Sequence, residues 1–317
     1  MRIAIVGAGA LGLYYGALLQ RGGNDVHFLL RRDYQAVREK GLRVESVQGD
    51  FHLARVQGYL SSAEIGPVEL VLVGLKTFAN HRYGELIAPL VGADTMILTL
   101  QNGLGNEEAL AARFGAERVL GGVAFLCANR GEPGLVRHLG AGRILVGEFQ
   151  RQGMARAELL AELFRGAGVE CQAVADLLKA RWEKLVWNIP FNGLCALLGL
   201  TVADLLHRPA ARSLVREVML EVIAAANSQG LTETLDTSLA GRMIEFSEGL
   251  GAYRPSMQID REEGRDLELA AIFARPLAAG TAEGVAMPRT AMLHAMLEAT
   301  EPIGAAATAD RVGQLPA

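Results

Sequence analysis

Lys184, Asn188 and Asn192 recur at fourfold spacing in Trp182-Glu183-Lys184-Leu185-Val186-Trp187-Asn188-Ile189-Pro190-Phe191-Asn192. On a helix that spacing puts all three on one face. Apolar neighbours (Leu185, Val186, Trp187, Ile189, Phe191) make the polar row part of a partly buried surface. Burial lowers a lysine's pKa toward neutrality, where an ammonium works well as a general acid. A solvated helix stripe is the plain alternative. Farther on, Ser256 in Pro255-Ser256-Met257 offers a hydroxyl donor to a carboxylate or hydroxyl. Glu268, in Gly264-Arg265-Asp266-Leu267-Glu268, offers a carboxylate if it faces inward, although glutamates in so charged a stretch are mostly exposed.

A second constellation opens the chain. The apolar run 3–6 leads into Gly7-Ala8-Gly9-Ala10-Leu11-Gly12, and a helical pattern with Leu13, Gly16, Ala17 and Leu19 follows. Strand, G-x-G-x-x-G and helix together are the context in which backbone N–H groups approach a dinucleotide pyrophosphate. The alternative is a glycine turn that merely packs helix on strand. Roughly 20 residues later an NAD site places an acid against the ribose 2′-hydroxyl, whereas a 2′-phosphate calls for arginine. Here the strand ends Leu30-Arg31-Arg32-Asp33. Arg31 stands where the acid would be, Arg32 adds a second planar fork, and Asp33 is placed to cap the next helix. This reading favours NADP over a solvated strand end. Two more polar residues end apolar strands: Lys76 after Val71-Leu72-Val73-Gly74-Leu75, and Asn102 in Gln101-Asn102-Gly103. Ligands gather at such ends in open α/β sheets, although Asn-Gly is also an ordinary turn former.

The elements that must position these residues follow from the hydrophobic pattern. Strands are predicted at 3–6, 26–30, 70–75, 96–100, 119–126, 144–146 and 169–174, alternating with helical segments. That alternation favours a mostly parallel sheet covered on both faces. After about residue 177 only helical patterns remain: 180–189, 192–200, 211–229, 239–248, 265–278 and 288–299. Pro190 is expected to interrupt the helix that carries the polar row. The predicted fold is an α/β Rossmann-like N-terminal domain, residues 1–176, followed by an all-α C-terminal domain, residues 177–317.

Composition narrows the function classes. The 317 residues suffice for two cores, half of them are hydrophobic, and the net charge of −4 offers no basic excess for nucleic acid. Cys127, Cys171 and Cys195 are too scattered for a disulfide framework or a metal site, so no metal is expected and a reducing compartment is. Met1-Arg2 runs straight into the first strand, which reads as no signal peptide, and the apolar runs are short for a bilayer. The expectation is a cytoplasmic protein without a membrane or nucleic-acid partner. Oligomeric state stays open: the apolar helices of the second half can pack on each other or in a homodimer.

Taken together, the glycine motif, Lys76, Gln101-Asn102-Gly103, the Lys184/Asn188/Asn192 row, Pro255-Ser256-Met257 and Glu268 resemble the ketopantoate reductase (2-dehydropantoate 2-reductase) family over residues 1 to about 300. The resemblance implies an NADPH-dependent oxidoreductase of pantothenate biosynthesis that reduces a 2-oxo acid to a 2-hydroxy acid. It implies a helical domain of the 6-phosphogluconate dehydrogenase type and an active site in an interdomain cleft. By the same resemblance Lys184 is the general acid, and Glu268 binds the substrate hydroxyl or positions Lys184. Asn188, Asn192 and Ser256 hold the substrate, and Asn102 lies near both nicotinamide and substrate. Gly7, Ala8, Gly9, Ala10, Leu11, Gly12, Arg31 and Lys76 serve the cofactor. The family pattern of an Asp and then Asn-Gly after the glutamate is missing, since this chain has Ala270, Phe273 and Ala274 there. That departure points to an altered substrate side, so a paralogous reductase of another 2-oxo acid stands as an alternative. A catalytically silent NADP-binding sensor is a second one, disfavoured by the retained Lys184, Asn188, Asn192 and Glu268.

Overall fold

The computed structural model describes residues 1–150 and 153–301. The chain divides into two compact units between Ala180 and Arg181. Unit 1 holds one ten-stranded sheet. Its strands are β1 (Arg2–Val6), β2 (Asp25–Leu29), β3 (Leu42–Ser46), β4 (Phe51–Leu53), β5 (Gln57–Tyr59), β6 (Val68–Val73), β7 (Val91–Thr99), β8 (Val119–Arg130), β9 (Leu135–Glu148) and β10 (Cys171–Ala173). The order is β4-β3-β9-β8-β7-β6-β1-β2-β5, with β10 beside β9.

All pairs are parallel except β3 with β4 and β8 with β9. The central strands have apolar residues on both faces. Ile3, Ile5, Leu70 and Leu72 enter one buried cluster, and Ala4, Val6, Val71 and Val73 enter another on the opposite side. Strands covered on both faces read as continuous apolar runs. Helices α1 (Ala10–Arg21) and α5 (Ala155–Gly166) cover the first face. The short α3 (Tyr83–Leu86) and α4 (Asn106–Phe114) cover the second, while α2 (Tyr34–Lys40) follows β2.

The second half of the sheet departs from the sequence-based reading. The short strands expected at 119–126 and 144–146 are the inner ends of a long antiparallel hairpin, β8–β9. Its outer part alternates buried and exposed residues around glycines 140 and 142. Three short strands, β3 to β5, also went unpredicted, because exposed polar residues such as Arg43, His52 and Gln57 interrupt any apolar run.

The division at Ala180/Arg181 falls within the first turns of α6 (Leu177–Leu198). There follow α7 (Val202–Leu206), α8 (Pro209–Asn227), α9 (Ser238–Glu248), α10 (Ser256–Glu262), a π-helical turn Ala270–Ala274, α11 (Arg275–Ala282) and α12 (Pro288–Ala299). Among the described residues no strand follows Ala173. The expected break at Pro190 does not occur, because α6 runs through it. A helix-interior proline costs about 3 kcal/mol. Here Val186, Ile189, Phe191, Leu194 and Cys195 are all buried around it, and their packing outweighs that cost.

Candidate active site

In unit 1 the sheet brings the predicted cofactor residues to one edge. Strands β1, β2, β6 and β7 are parallel, so the segments after them (Gly7 to Gly12, Arg31, Lys76 and Asn102) leave the sheet on the same side. The chain turns outward from β1 to β2 and β5, then returns to β6 and β7. The carboxyl ends of β1 and β6 are therefore the switch point where such sheets bind ligands.

The three glycines there do different things. Gly7 has φ +97°, and a Cβ on it would lie 2.3 Å from the backbone N of Leu75. Gly7 therefore permits both the turn and the close approach of the β6 loop. A Cβ on Gly12 would lie 2.3 Å from the carbonyl oxygen of Gly7, so Gly12 lets α1 pack against β1. Around Gly9 there is open space, with nothing within 4 Å of a Cβ. Gly9 is the N-cap of α1 and supplies no side-chain cap, so the first-turn N–H groups face that space. A pyrophosphate fits such a cradle: a gap at the position a side chain would fill, lined by N–H donors at the positive end of a helix.

Arg31 and Arg32 are both exposed at the end of β2. Asp33 occupies the N-cap position of α2 but makes no capping bond. Its carboxylate instead pairs with Arg130 and accepts the N–H of Gly134 at 3.1 Å. The expected cap is thus a tertiary clamp. Lys76 is half-buried at the head of the turn Thr77–Arg82.

Asn102 is half-buried, and a relay of amides holds its backbone. The carbonyl oxygen of Gln101 Oε1 accepts from Tyr83 Oη at 2.6 Å and Thr99 Oγ1 at 2.9 Å. Gln101 Nε2 donates to Asn80 Oδ1 at 2.8 Å, and Asn80 Nδ2 donates to Asn106 Oδ1 at 2.9 Å. Asn106 Nδ2 then donates to the carbonyl oxygen of Asn102 at 2.9 Å. Gly103 follows with φ +79°, the turn that Asn-Gly allows. Sequence reasoning missed Asn80 and Asn106. The available signal was their spacing, four residues after Lys76 and four after Asn102 respectively.

In unit 2, Lys184, Asn188 and Asn192 lie along one face of α6 as their spacing requires. Lys184 is half-buried. Burial pulls its pKa down to about 7, the positive charge of Arg181 pulls the same way, and the carboxylate of Glu268 opposes both. Glu268 is buried, so it does face inward. Arg181, three residues before Lys184, is another group the sequence reading did not weigh. Asn188 is 4% exposed, and its side-chain amide has no hydrogen-bond partner among the described residues. Asn192 Oδ1 accepts the N–H of Met257 at 3.2 Å, which anchors the first turn of α10. Ser256, the first residue of α10, is exposed beside that anchor.

The departure at 270–274 is only partly a change of surface. Phe273 is 0% exposed, its ring stacks on His294 with centroids 5.9 Å apart, and a Cβ on Gly193 would meet it. Its ring is therefore part of the buried core. Ala270 is exposed and Ala274 half-buried, both on the π-helical turn that follows Glu268.

Comparison with known proteins gives the family. The ketopantoate reductase PanE/ApbA family model covers residues 3–151, and its C-terminal counterpart covers residues 176–301. The chain belongs to the ketopantoate reductase family. It is an oxidoreductase with an N-terminal, mostly parallel sheet and a helical C-terminal half. A 2-dehydropantoate 2-reductase of Nostoc sp. is 40% identical over 302 residues, covering 94% of each chain. The crystal structure of 2-dehydropantoate 2-reductase from Geobacter metallireducens is 65% identical with a TM-score of 0.94, covering 94% of this chain and 99% of that one. A D-mandelate dehydrogenase solved with NADH and anilino(oxo)acetate is 25% identical with a TM-score of 0.86, covering 95% of this chain and 98% of its own. Among the described residues no helix is long and apolar enough to cross a membrane, and no group of His, Cys, Asp and Glu forms a metal cluster.

Proposed function

We propose that this protein reduces ketopantoate to pantoate with NADPH, residues 1–176 holding the cofactor and 177–317 the 2-oxo acid. The observation that carries the reading is Lys184, an amine that burial brings to about 7 on the same helical face as two buried amides. NADPH supplies the hydride. Hydride arrival at the ketone carbon builds negative charge on the carbonyl oxygen, and the Lys184 ammonium stabilises and then protonates it. The carboxylate of Glu268 favours the protonated state of Lys184, partly opposing the larger effect of burial. The side-chain amides of Asn188 and Asn192 and the hydroxyl of Ser256 receive the substrate carboxylate and hydroxyl. The cradle at Gly7 to Gly12 takes the pyrophosphate, Arg31 the 2′-phosphate, and Lys76 and Asn102 the nicotinamide side. Three cysteines outside any disulfide support a cytoplasmic setting.

A second reading keeps the mechanism and changes the acid. Ala270 stands where the family pattern has an Asp two residues after Glu268, and the fold relative at 25% identity is a D-mandelate dehydrogenase. NADPH consumption with ketopantoate, beside a panel of straight-chain, branched and aromatic 2-oxo acids, separates the two. Ketopantoate leading the panel supports the first reading, and another acid leading it supports the second. No turnover with any acid, NADPH still binding, refutes both in favour of a sensor.

A further inference from the structure

Asp33 lies four residues beyond β2 and two after Arg31, the position from which an acid would reach a ribose 2′-hydroxyl, and it is 2% exposed and turned into the fold. Its two oxygens are taken by Arg130 and by the N–H of Gly134. Next to it, Arg32 Nη2 donates to the carbonyl oxygen of Gly131 at 2.9 Å. Three contacts therefore tie the segment after β2 to the turn between β8 and β9. That turn is closed by its own bonds, Gly131 N to Leu135 O at 3.0 Å and Leu135 N to Glu132 O at 2.9 Å. Gly134 enters it at φ +84°.

The charges sort accordingly. Asp33 is neutralised by Arg130, so it presents no negative field to an incoming phosphate. Arg32 spends one N–H on a neutral carbonyl and keeps its full charge, and Arg31 is exposed beside it. Neither arginine is ion-paired among the described residues. A guanidinium fork recognises a phosphate dianion best when its plane is fixed in advance.

We propose that Asp33 is a positioning residue for recognition of the 2′-phosphate: it anchors the β8–β9 turn, whose Gly131 carbonyl fixes the Arg32 fork beside Arg31. This inference rests on the NADPH reading. It makes the β8–β9 turn a wall of the adenosine site and withdraws Asp33 from the ribose.

Calorimetric titration of the whole protein with 2′,5′-ADP and with 5′-AMP tests it without any turnover. Wild type is expected to bind 2′,5′-ADP at least about tenfold more tightly than 5′-AMP. Asp33→Asn, which keeps an acceptor for Gly134 but loses the charge for Arg130, is expected to shrink that preference several-fold while 5′-AMP affinity holds. Arg32→Lys, on the exposed surface, keeps the charge but not the planar fork and shrinks it likewise. The NADPH-over-NADH ratio of kcat/KM falls in parallel in both variants. An unchanged preference in both variants overturns the clamp. So does a loss of 5′-AMP and NADH affinity in Asp33→Asn, the signature of a direct ribose ligand. A wild-type protein indifferent to the 2′-phosphate overturns the NADPH reading itself.

Discussion

Asn192 Oδ1 accepts the backbone N–H of Met257 at 3.2 Å, joining the middle of α6 to the first turn of α10. The bond satisfies one of the donors a helix start leaves open, and it places Ser256 next to the polar row of α6. Asn192 therefore holds a neighbour in place with its oxygen and has only its N–H bonds left for a ligand. Asn192→Ala is expected to lower stability by about 1 kcal/mol, the usual value of such a cap, and to raise KM for the 2-oxo acid. Asn192→Asp keeps the acceptor and most of the stability but sets a negative charge against the substrate carboxylate. Thermal melts combined with KM separate the two effects: a KM rise in Asn192→Ala with no loss of stability would show that the bond to Met257 carries no load.

The glycine cradle makes a sharper division between folding and binding. Gly9→Ala adds a methyl where there is open space, so its melting temperature is expected to stay near wild type while NADPH affinity drops by about tenfold or more. Gly12→Ala drives a Cβ into the Gly7 carbonyl and is expected to destabilise the fold by a few kcal/mol. Melts with and without NADPH read both. Equal loss of stability in the two variants would mean that Gly9 only packs.

These two constellations differ in how visible they are from residue order. The cradle and the α6 row are local patterns: glycines at fixed offsets after an apolar strand, and polar residues four apart. Each is visible because chain geometry brings the members together without help from the rest of the fold. The relay from Gln101 through Asn80 and Asn106 to Asn102 is not local, since it depends on the segment after β6 lying beside the segment after β7. Asp33 illustrates the same limit: its residue type and position suggest a cap, and only Arg130 and Gly134, about a hundred residues away, redirect it. Phe273 is a similar case, since nothing in its local sequence shows that the π-helical turn buries its ring against His294.

The relay gives a further test. Asn80→Ala removes both an acceptor for Gln101 and the donor to Asn106, leaving buried amides unsatisfied. A stability loss of about 1–3 kcal/mol is expected, together with a higher KM for NADPH as the Asn102 loop loosens. Double-mutant analysis with Asn106→Ala should show strong non-additivity. Additive losses would mean that the two amides act separately.

Lys184 sets the pH dependence. Its pKa is lowered from the usual lysine value to about 7, and the reduction needs the protonated amine. The kcat/KM of reduction is therefore expected to be flat below about pH 7 and to fall tenfold per unit above it, while oxidation of the hydroxy acid shows the reverse limb. Glu268 raises that pKa, so Glu268→Gln should move the break to lower pH. The same shift acts on stability. Between about 7 and the normal lysine range the unfolded chain binds the proton and the native one does not, so this group's contribution rises with pH across that window. A pH profile without a break near 7, or a break that moves upward in Glu268→Gln, would remove Lys184 from the proton transfer.

The most direct test of the central claim is the turnover of Lys184→Ala with NADPH and the preferred 2-oxo acid, measured beside its affinity for NADPH. The expected result is a fall in kcat of about 100-fold or more with NADPH binding nearly unchanged. Turnover near the wild-type rate would contradict the assignment of Lys184 as the proton donor.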